Sequence, residues 1–223
     1  MSEMFHSLWQ NGIIQLGIWE TVYMTLLSTI VSYVIGLPLG IMLSVTDKDG
    51  ICPVLWLNRI VGFIVNIFRS IPFIILMVAL LPVAKLVGSR IGDNAFIFYL
   101  VIAAAPFVAR MVESSIKEVD KGIIEAAQAM GTSTGKIITK VLIPEAKPSL
   151  IIGGVISMVT ILSYSAMAAT IGGGGLGQIA ITYGYQRYNN DIIWICVVLT
   201  IIIVQIIQEA GAFIAHKTDK RIK

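Results

Sequence analysis

The chain has 223 residues, of which 57% are hydrophobic and 13% charged, with a mean hydropathy of +0.87 and a formal net charge of +3. Soluble domains carry roughly 25% charged residues, so this balance excludes an ordinary soluble protein and indicates an all-α integral membrane chain. Cys52 and Cys196 have no ligand-like spacing, and His6 and His216 sit near opposite ends, so neither a disulfide framework nor a metal site is indicated.

The first residues, MSEMFHSLWQNGIIQLG, place no cation ahead of their apolar part, which is unlike a cleaved signal peptide. A crossing helix needs about 20 apolar residues, because the hydrocarbon core is about 30 Å thick and each residue rises about 1.5 Å. Five segments meet that need, at about 21–45, 60–81, 94–112, 149–171 and 192–215. The first carries no charge between Glu20 and Asp47. The second carries Arg69 and Pro72. An arginine at mid-depth costs about 2.5–3.5 kcal/mol, so Arg69 must face protein or water, either paired with Glu209 or Glu113 or lining a path. Pro38, Pro72 and Pro106 read as tolerated kinks. The third segment is short before Arg110, which either snorkels or lets the helix run on into the polar loop.

Residues 116–147 then break the membrane pattern. Ile116, Val119, Ile123, Ala127 and Met130 recur every three or four positions and predict one apolar stripe on a helix. Gly131 can end that helix in the left-handed conformation, and Thr132 or Ser133 can cap a second helix bearing Ile137, Ile138, Val141 and Leu142. Pro144 is expected to stop it, with Pro148 in the first turn of the fourth span. Ala126, Ala127 and Ala129 keep the exposed ridge slim. Such a ridge suits a groove on another protein, or equally the surface of its own bundle or the bilayer.

Two glycine patterns mimic nucleotide sites. Gly131-Thr-Ser-Thr-Gly135-Lys136 has three residues between its glycines where a phosphate loop needs four, and Ile137 stands where magnesium needs Ser or Thr. Gly172-Gly-Gly-Gly-Leu-Gly177 fits G-x-G-x-x-G in letters, yet it follows a span and has no strand–helix–strand context. Its four consecutive glycines cost a helix about 3–4 kcal/mol relative to alanine, so the fourth span should end there. The run is either a turn for close helix packing or a flexible external gate or substrate-facing loop. Within the fifth segment Glu209 lies near the end.

Loop cations set the orientation. With the N-terminus outside and the C-terminus cytoplasmic, twelve of the sixteen Lys and Arg fall on the cytoplasmic side, Lys220, Arg221 and Lys223 among them, against Lys85, Arg90 and Arg187 outside. The 116–147 segment is then cytoplasmic, and the positive charge reflects loop bias with no need of nucleic acid.

Glu125-Ala126-Ala127, Gly131 and Val141-Leu142-Ile143-Pro144 resemble the EAA loop of ABC-importer permeases in every spacing, with Val141 and Ile143 as apolar swaps. Longer stretches extend the likeness over nearly the whole chain: Asn66-Ile-Phe-Arg69-Ser-Ile-Pro72, Ala104-Ala-Pro106-Phe-Val-Ala-Arg110-Met-Val-Glu113, Tyr164-Ser-Ala-Met167 and Gly174-Gly-Leu-Gly177-Gln178. These resemble the permease subunits of bacterial methionine ABC importers, in the binding-protein-dependent transport inner-membrane component family. The resemblance implies a single type-1 transmembrane domain over 1–223 in the bacterial inner membrane, with methionine as solute. It implies no enzymatic activity and no cofactor on this chain, since ATP and magnesium belong to a separate ATPase. Glu125, Ala126, Ala127, Met130, Gly131, Val141 and Pro144 are expected to couple to that ATPase, and Met167, Arg69, Tyr164, Gly172 and Gly174 to form pathway or gate. Met167 is implied to lie at a two-fold axis.

Five helices enclose little space and one docking segment engages one motor, so a homodimer with two ATPases is expected, alongside an external binding lipoprotein and membrane lipid. The rivals are a permease for another small amino acid or solute, and an ion-driven secondary transporter. The latter is disfavoured because the spans hold few ionisable groups beyond Arg69 and Glu209.

Overall fold

The computed structural model describes residues 3–85, 88 and 90–219, and Lys220, Arg221 and Lys223 lie outside them. Every regular element among the described residues is helical. In chain order they are α1 (Glu3–Gln10), α2 (Ile13–Val45), α3 (Leu55–Ser70), α4 (Phe73–Ala84), α5 (Asp93–Lys117), α6 (Lys121–Ala129), α7 (Thr134–Ile137), α8 (Ile143–Ser165), α9 (Leu176–Ile179) and α10 (Asn190–Thr218). A π turn at Ile138–Leu142 joins α7 to α8, a 3-10 segment at Ala166–Ile171 follows α8, and a second π turn at Ala180–Tyr185 follows α9.

Four helical stretches are long and apolar enough to cross a membrane: Ile13–Val45, Asp93–Lys117, Thr134–Ile171 and Asn190–Thr218. The pair α3 and α4 supplies a fifth when taken as one broken span. The expected second span at 60–81 is therefore not a straight helix. Proline disfavours helical backbone in the residue before it, and Ile71 is extended at φ −85° and ψ 123°. The Pro72 carbonyl then accepts from the amides of Ile75 and Leu76, both at 3.0 Å, and opens α4. Pro38 and Pro106 sit inside unbroken helices.

Pro144 does not stop the helix before the fourth span, contrary to the sequence expectation. Helical backbone runs from Thr134 to Ile171, with Pro144 and Pro148 both inside it. A proline ring crowds the carbonyl four residues back and offers no donor to it. The turn before Pro144 widens instead, and the Ile143 amide donates to the Ile138 carbonyl five residues back. The third helix likewise continues past Arg110 to Lys117.

The chain forms two compact units, one of Met1–Ile30, Pro72–Ala103 and Met158–Gln208, the other of Val31–Ile71, Ala104–Ser157 and Glu209–Lys223. In the first, Leu8, Ile14, Ile179, Ile192 and Cys196 form a buried cluster. Phe73 stacks on Tyr164 at 4.8 Å between ring centres and meets Phe96 edge-on at 5.8 Å. Phe96 is fully buried, which contributes about 1.5–3 kcal/mol. In the second, Val45, Val108, Val112, Ile116, Leu142 and Leu150 centre the core. There α2 meets α5 closely, since a Cβ on Gly36 would stand 2.7 Å from Val108 Cγ1.

A coupling segment and a glycine clasp as candidate functional sites

The helix of α5 ends at Lys117, and α6 begins afresh because Asp120 caps it, its Oδ1 accepting the Gly122 amide at 2.6 Å. The restart divides the stripe predicted for one helix. Ile116, Val119 and Ala127 are buried, whereas Ile123 is 43% and Met130 77% exposed. Gly131 ends α6 at φ +72°. Its amide donates to Gln128 O at 2.9 Å and that of Thr132 to Ala127 O at 3.1 Å, the paired bonds of a Schellman cap. Ser133 then precedes α7 in an extended conformation without a side-chain cap bond.

This builds a bent segment fixed to its own bundle on one side and open on the other. Val119, Ala127, Ile137 and Leu142 bury into the core of Val45, Val108, Val112 and Ile116, with Val141 partly buried beside them. Glu125, Ala126, Met130, Gly131 and Pro144 are exposed. Ala127 therefore does not belong to the exposed ridge, where the sequence placed it: with the stripe broken at Asp120, the α6 face toward the core is the Ala127 face. Ala126 and Ala129 remain outside. A groove of about 330 Å³ runs beside the segment, lined in part by Asp47, Ile51, Lys117, Ile124, Glu125 and Gln128.

An ionic chain stands at the root of this segment. Lys117 Nζ donates to Asp47 Oδ2 at 2.6 Å and to Glu113 Oε1 at 2.8 Å. Arg110 Nη1 donates to Glu113 Oε2 at 2.6 Å, and its Nη2 to Asn66 Oδ1 at 2.9 Å and Gly62 O at 3.2 Å. The Lys117 ammonium, with help from the Lys48 amide, holds the Asp47 carboxyl below its ordinary value. Glu113 is thus taken by Arg110 and Lys117. Arg69 is exposed on α3 and, among the described residues, pairs with neither Glu113 nor Glu209.

The pathway candidates other than Arg69 fall in the first unit. Met167 is 37% exposed on the 3-10 segment, and Tyr164 is stacked on Phe73. Gly172 takes the left-handed conformation that ends the segment. The glycines after it are held at successive amides: Gly174 donates to Asp93 Oδ1 at 2.7 Å, Gly175 to Glu20 Oε2 at 2.7 Å and Leu176 to Thr21 Oγ1 at 2.9 Å. These bonds hold the glycine run as an ordered turn. Three side chains clasp the loop.

Sequence reasoning found the bent segment and missed its supports. Arg110, Glu113 and Lys117, spaced by three and four, carry a helical ion-pair signal that was there to be read. Asp47, Asn66, Glu20 and Thr21 carry none, because their partners lie far along the chain.

Comparison with known proteins gives a consistent picture. Residues 36–214 match the family model described as binding-protein-dependent transport system inner membrane component. The chain is 50% identical over 204 residues to the probable D-methionine transport system permease protein MetI of Vibrio cholerae serotype O1, covering 91% of each chain. It is 47% identical over 181 residues to the methionine import system permease protein MetP of Bacillus subtilis, covering 81% of this chain and 82% of that one. Among solved structures it is similar to a chain of the MetNI methionine ABC transporter in inward-facing conformations, with a TM-score of 0.92, 45% identity, and 99% and 100% of the two chains covered.

Proposed function

Since this chain belongs to the binding-protein-dependent transport system inner membrane component family, we propose that it is the permease subunit of an ATP-driven methionine importer. It is a multi-pass protein of the bacterial inner membrane and not itself an enzyme. ATP and magnesium bind to the separate ATPase.

The observation that carries the reading of the site is the bent segment α6–Gly131–α7, rooted by Val119, Ala127, Ile137 and Leu142 and exposing Glu125, Ala126 and Met130. Burying exposed apolar area is worth about 25 cal/mol per Å², so this ridge favours a groove on another protein. In this reading the N-terminus is outside, the C-terminus and the segment are cytoplasmic, and the segment seats on the ATPase. Two copies of this chain, each with its own ATPase, enclose the path, and an external binding lipoprotein delivers methionine. ATP binding draws the ATPases together, and the coupling segments follow, so that the spans exchange inward for outward access. Residues 1–223 act as one transmembrane domain in that cycle.

Reconstitution of the permease with its cognate ATPase and binding protein in liposomes tests this. Methionine accumulation that requires ATP supports it, and uptake without ATP in an ion gradient overturns it. Accumulation of another solute in preference to methionine corrects the substrate alone.

A further inference from the structure

We infer that Glu113 is a positioning residue for coupling: its carboxylate, shared between Arg110 and Lys117 on the same helix, is the strut that holds both cations in the poses from which they reach α3 and the end of α2. The inference rests on the importer reading and deepens it.

The geometry is one continuous chain of alternating charge. It starts at Asp47, two residues past the end of α2, passes to Lys117, the last residue of α5, then to Glu113 and Arg110, and ends on Asn66 and Gly62 of α3. Asn58, in the first turn of α3, adds a brace of its own, its Nδ2 donating to Leu43 O at 2.6 Å and Thr46 Oγ1 at 3.1 Å. The loop between α2 and α3 is closed by Cys52 N to Val45 O at 3.1 Å and Val54 N to Thr46 O at 3.0 Å. The ends of α2 and α3 therefore form one piece.

Lys117 is where that piece meets the coupling segment. Only Glu118, Val119 and the capping Asp120 separate it from α6. A pull on α6 reaches Lys117 first. The α5 backbone carries the pull on to Arg110, and Glu113, which alone among the described residues accepts from both cations, keeps the two side chains engaged with α3 and Asp47 as it passes. Its side chain is 11% exposed, so its bonds are only weakly competed by water, whereas the Lys117–Asp47 contact at 45% and 30% exposure is easily exchanged. Without the carboxylate, Arg110 and Lys117 lose the anion that orients them, and their bonds to Asn66, Gly62 and Asp47 are held less firmly. Hydrogen bonds within α5 still hold the helix, so the loss falls on transmission rather than on folding.

The test uses the complete transporter in liposomes, with binding protein and labelled L- and D-methionine, and compares Glu113→Gln and Glu113→Asp with the parent. The readout is ATP hydrolysed per methionine accumulated. Glu113→Gln is expected to co-purify with the ATPase and hydrolyse ATP within about twofold of the parent, while the ratio rises about threefold or more. Glu113→Asp is expected to restore part of the difference. An unchanged ratio in Glu113→Gln overturns the inference and leaves the importer reading standing. Should that variant fail to assemble, Glu113→Asp decides, since it keeps the charge and shortens its reach to both cations: a ratio above the parent's supports the inference and an unchanged ratio overturns it. A parent complex that accumulates no methionine with ATP sinks the functional reading instead.

Discussion

The carboxylate of Glu20 accepts the amide hydrogen of Gly175 at 2.7 Å, joining residues 155 positions apart in the chain. Gly175 is buried at φ +94°, so its amide has no ready substitute partner. Glu20→Ala leaves that donor unpaired, at a cost of about 1–3 kcal/mol. A Cβ on Gly174 would collide with the same carboxylate, which is the mobile end of a side chain. Gly174→Ala is therefore expected to lower the melting temperature by displacing Glu20, and to add little when Glu20 is already alanine. Gly177→Ala is expected to be worse, because its Cβ would meet the Ala166 backbone, 2.7 Å from the carbonyl carbon, and overpacking costs about 1–3 kcal/mol with no side chain to yield. Thermal unfolding of the four variants in detergent checks this order, and additive losses in the double variant remove the clasp.

Gly131 poses a different constraint. A Cβ there touches nothing within 4 Å, so only its φ of +72° resists substitution. Asn tolerates the left-handed region, whereas a β-branched residue is strained there by about 1–2 kcal/mol or more. Methionine-stimulated ATP hydrolysis is expected to fall in the order Gly, Asn, Ala, Val. Equal stimulation in Gly131→Val would falsify the role of the elbow in docking.

The legible part of this molecule was local. Runs of apolar residues gave the spans, and Gly131 gave its cap, because a positive φ favours one residue type wherever it occurs. Ala127 was misplaced because the stripe was counted through residues 118–120, where Asp120 restarts the helix and rotates the faces that follow. Pro144 misled for a related reason: its cost as a helix breaker is real, but a π turn absorbs it, and no residue type marks a π turn in advance. The supports of Asp47, Asn66 and Glu20 depend on which distant helix lies alongside, so periodicity could not show them.

The division of α6 into two faces separates folding from docking. Met130 is 77% exposed and Ala127 4%. Met130→Arg is expected to leave the melting temperature within about 0.5 kcal/mol equivalent of the parent and to reduce co-purification of the ATPase. Ala127→Arg forces a cation against Val45, Ile116 and Leu142, and is expected to destabilise the permease before docking is tested. A Met130→Arg permease that still binds its ATPase at parental affinity removes that face from the interface.

Asp47 gives the root network a pH signature. Its folded carboxyl titrates below the ordinary 3.8, chiefly through the bond from Lys117. A depressed carboxylate contributes stability that is fully present above the ordinary value and is lost as pH falls through the folded value. Both side chains are partly exposed, so the contribution is under about 1 kcal/mol. The melting-temperature gap between the parent and Asp47→Asn is expected to be constant well above the ordinary 3.8 and to close as pH falls below it through the depressed folded value. A gap that stays open at the acid end assigns the effect to packing.

Met167 tests the gate. Its side chain is 37% exposed on the 3-10 segment, whose far end is held by the clasped glycines, so it is presented from a fixed base. An unbranched thioether on a fixed base can seal against its own copy across a two-fold axis and yield when the spans move. Truncation of an exposed side chain changes stability by no more than about 0.5 kcal/mol, so Met167→Ala is expected to raise ATP-independent methionine leak from loaded liposomes at an unchanged melting temperature. Met167→Leu keeps the volume and is expected to keep the seal. A rise in leak accompanied by a lower melting temperature points to packing within the first unit. A leak that stays at the parental level in Met167→Ala moves the constriction to another residue, with Tyr164 the next to truncate because its stacking on Phe73 fixes it on the same base.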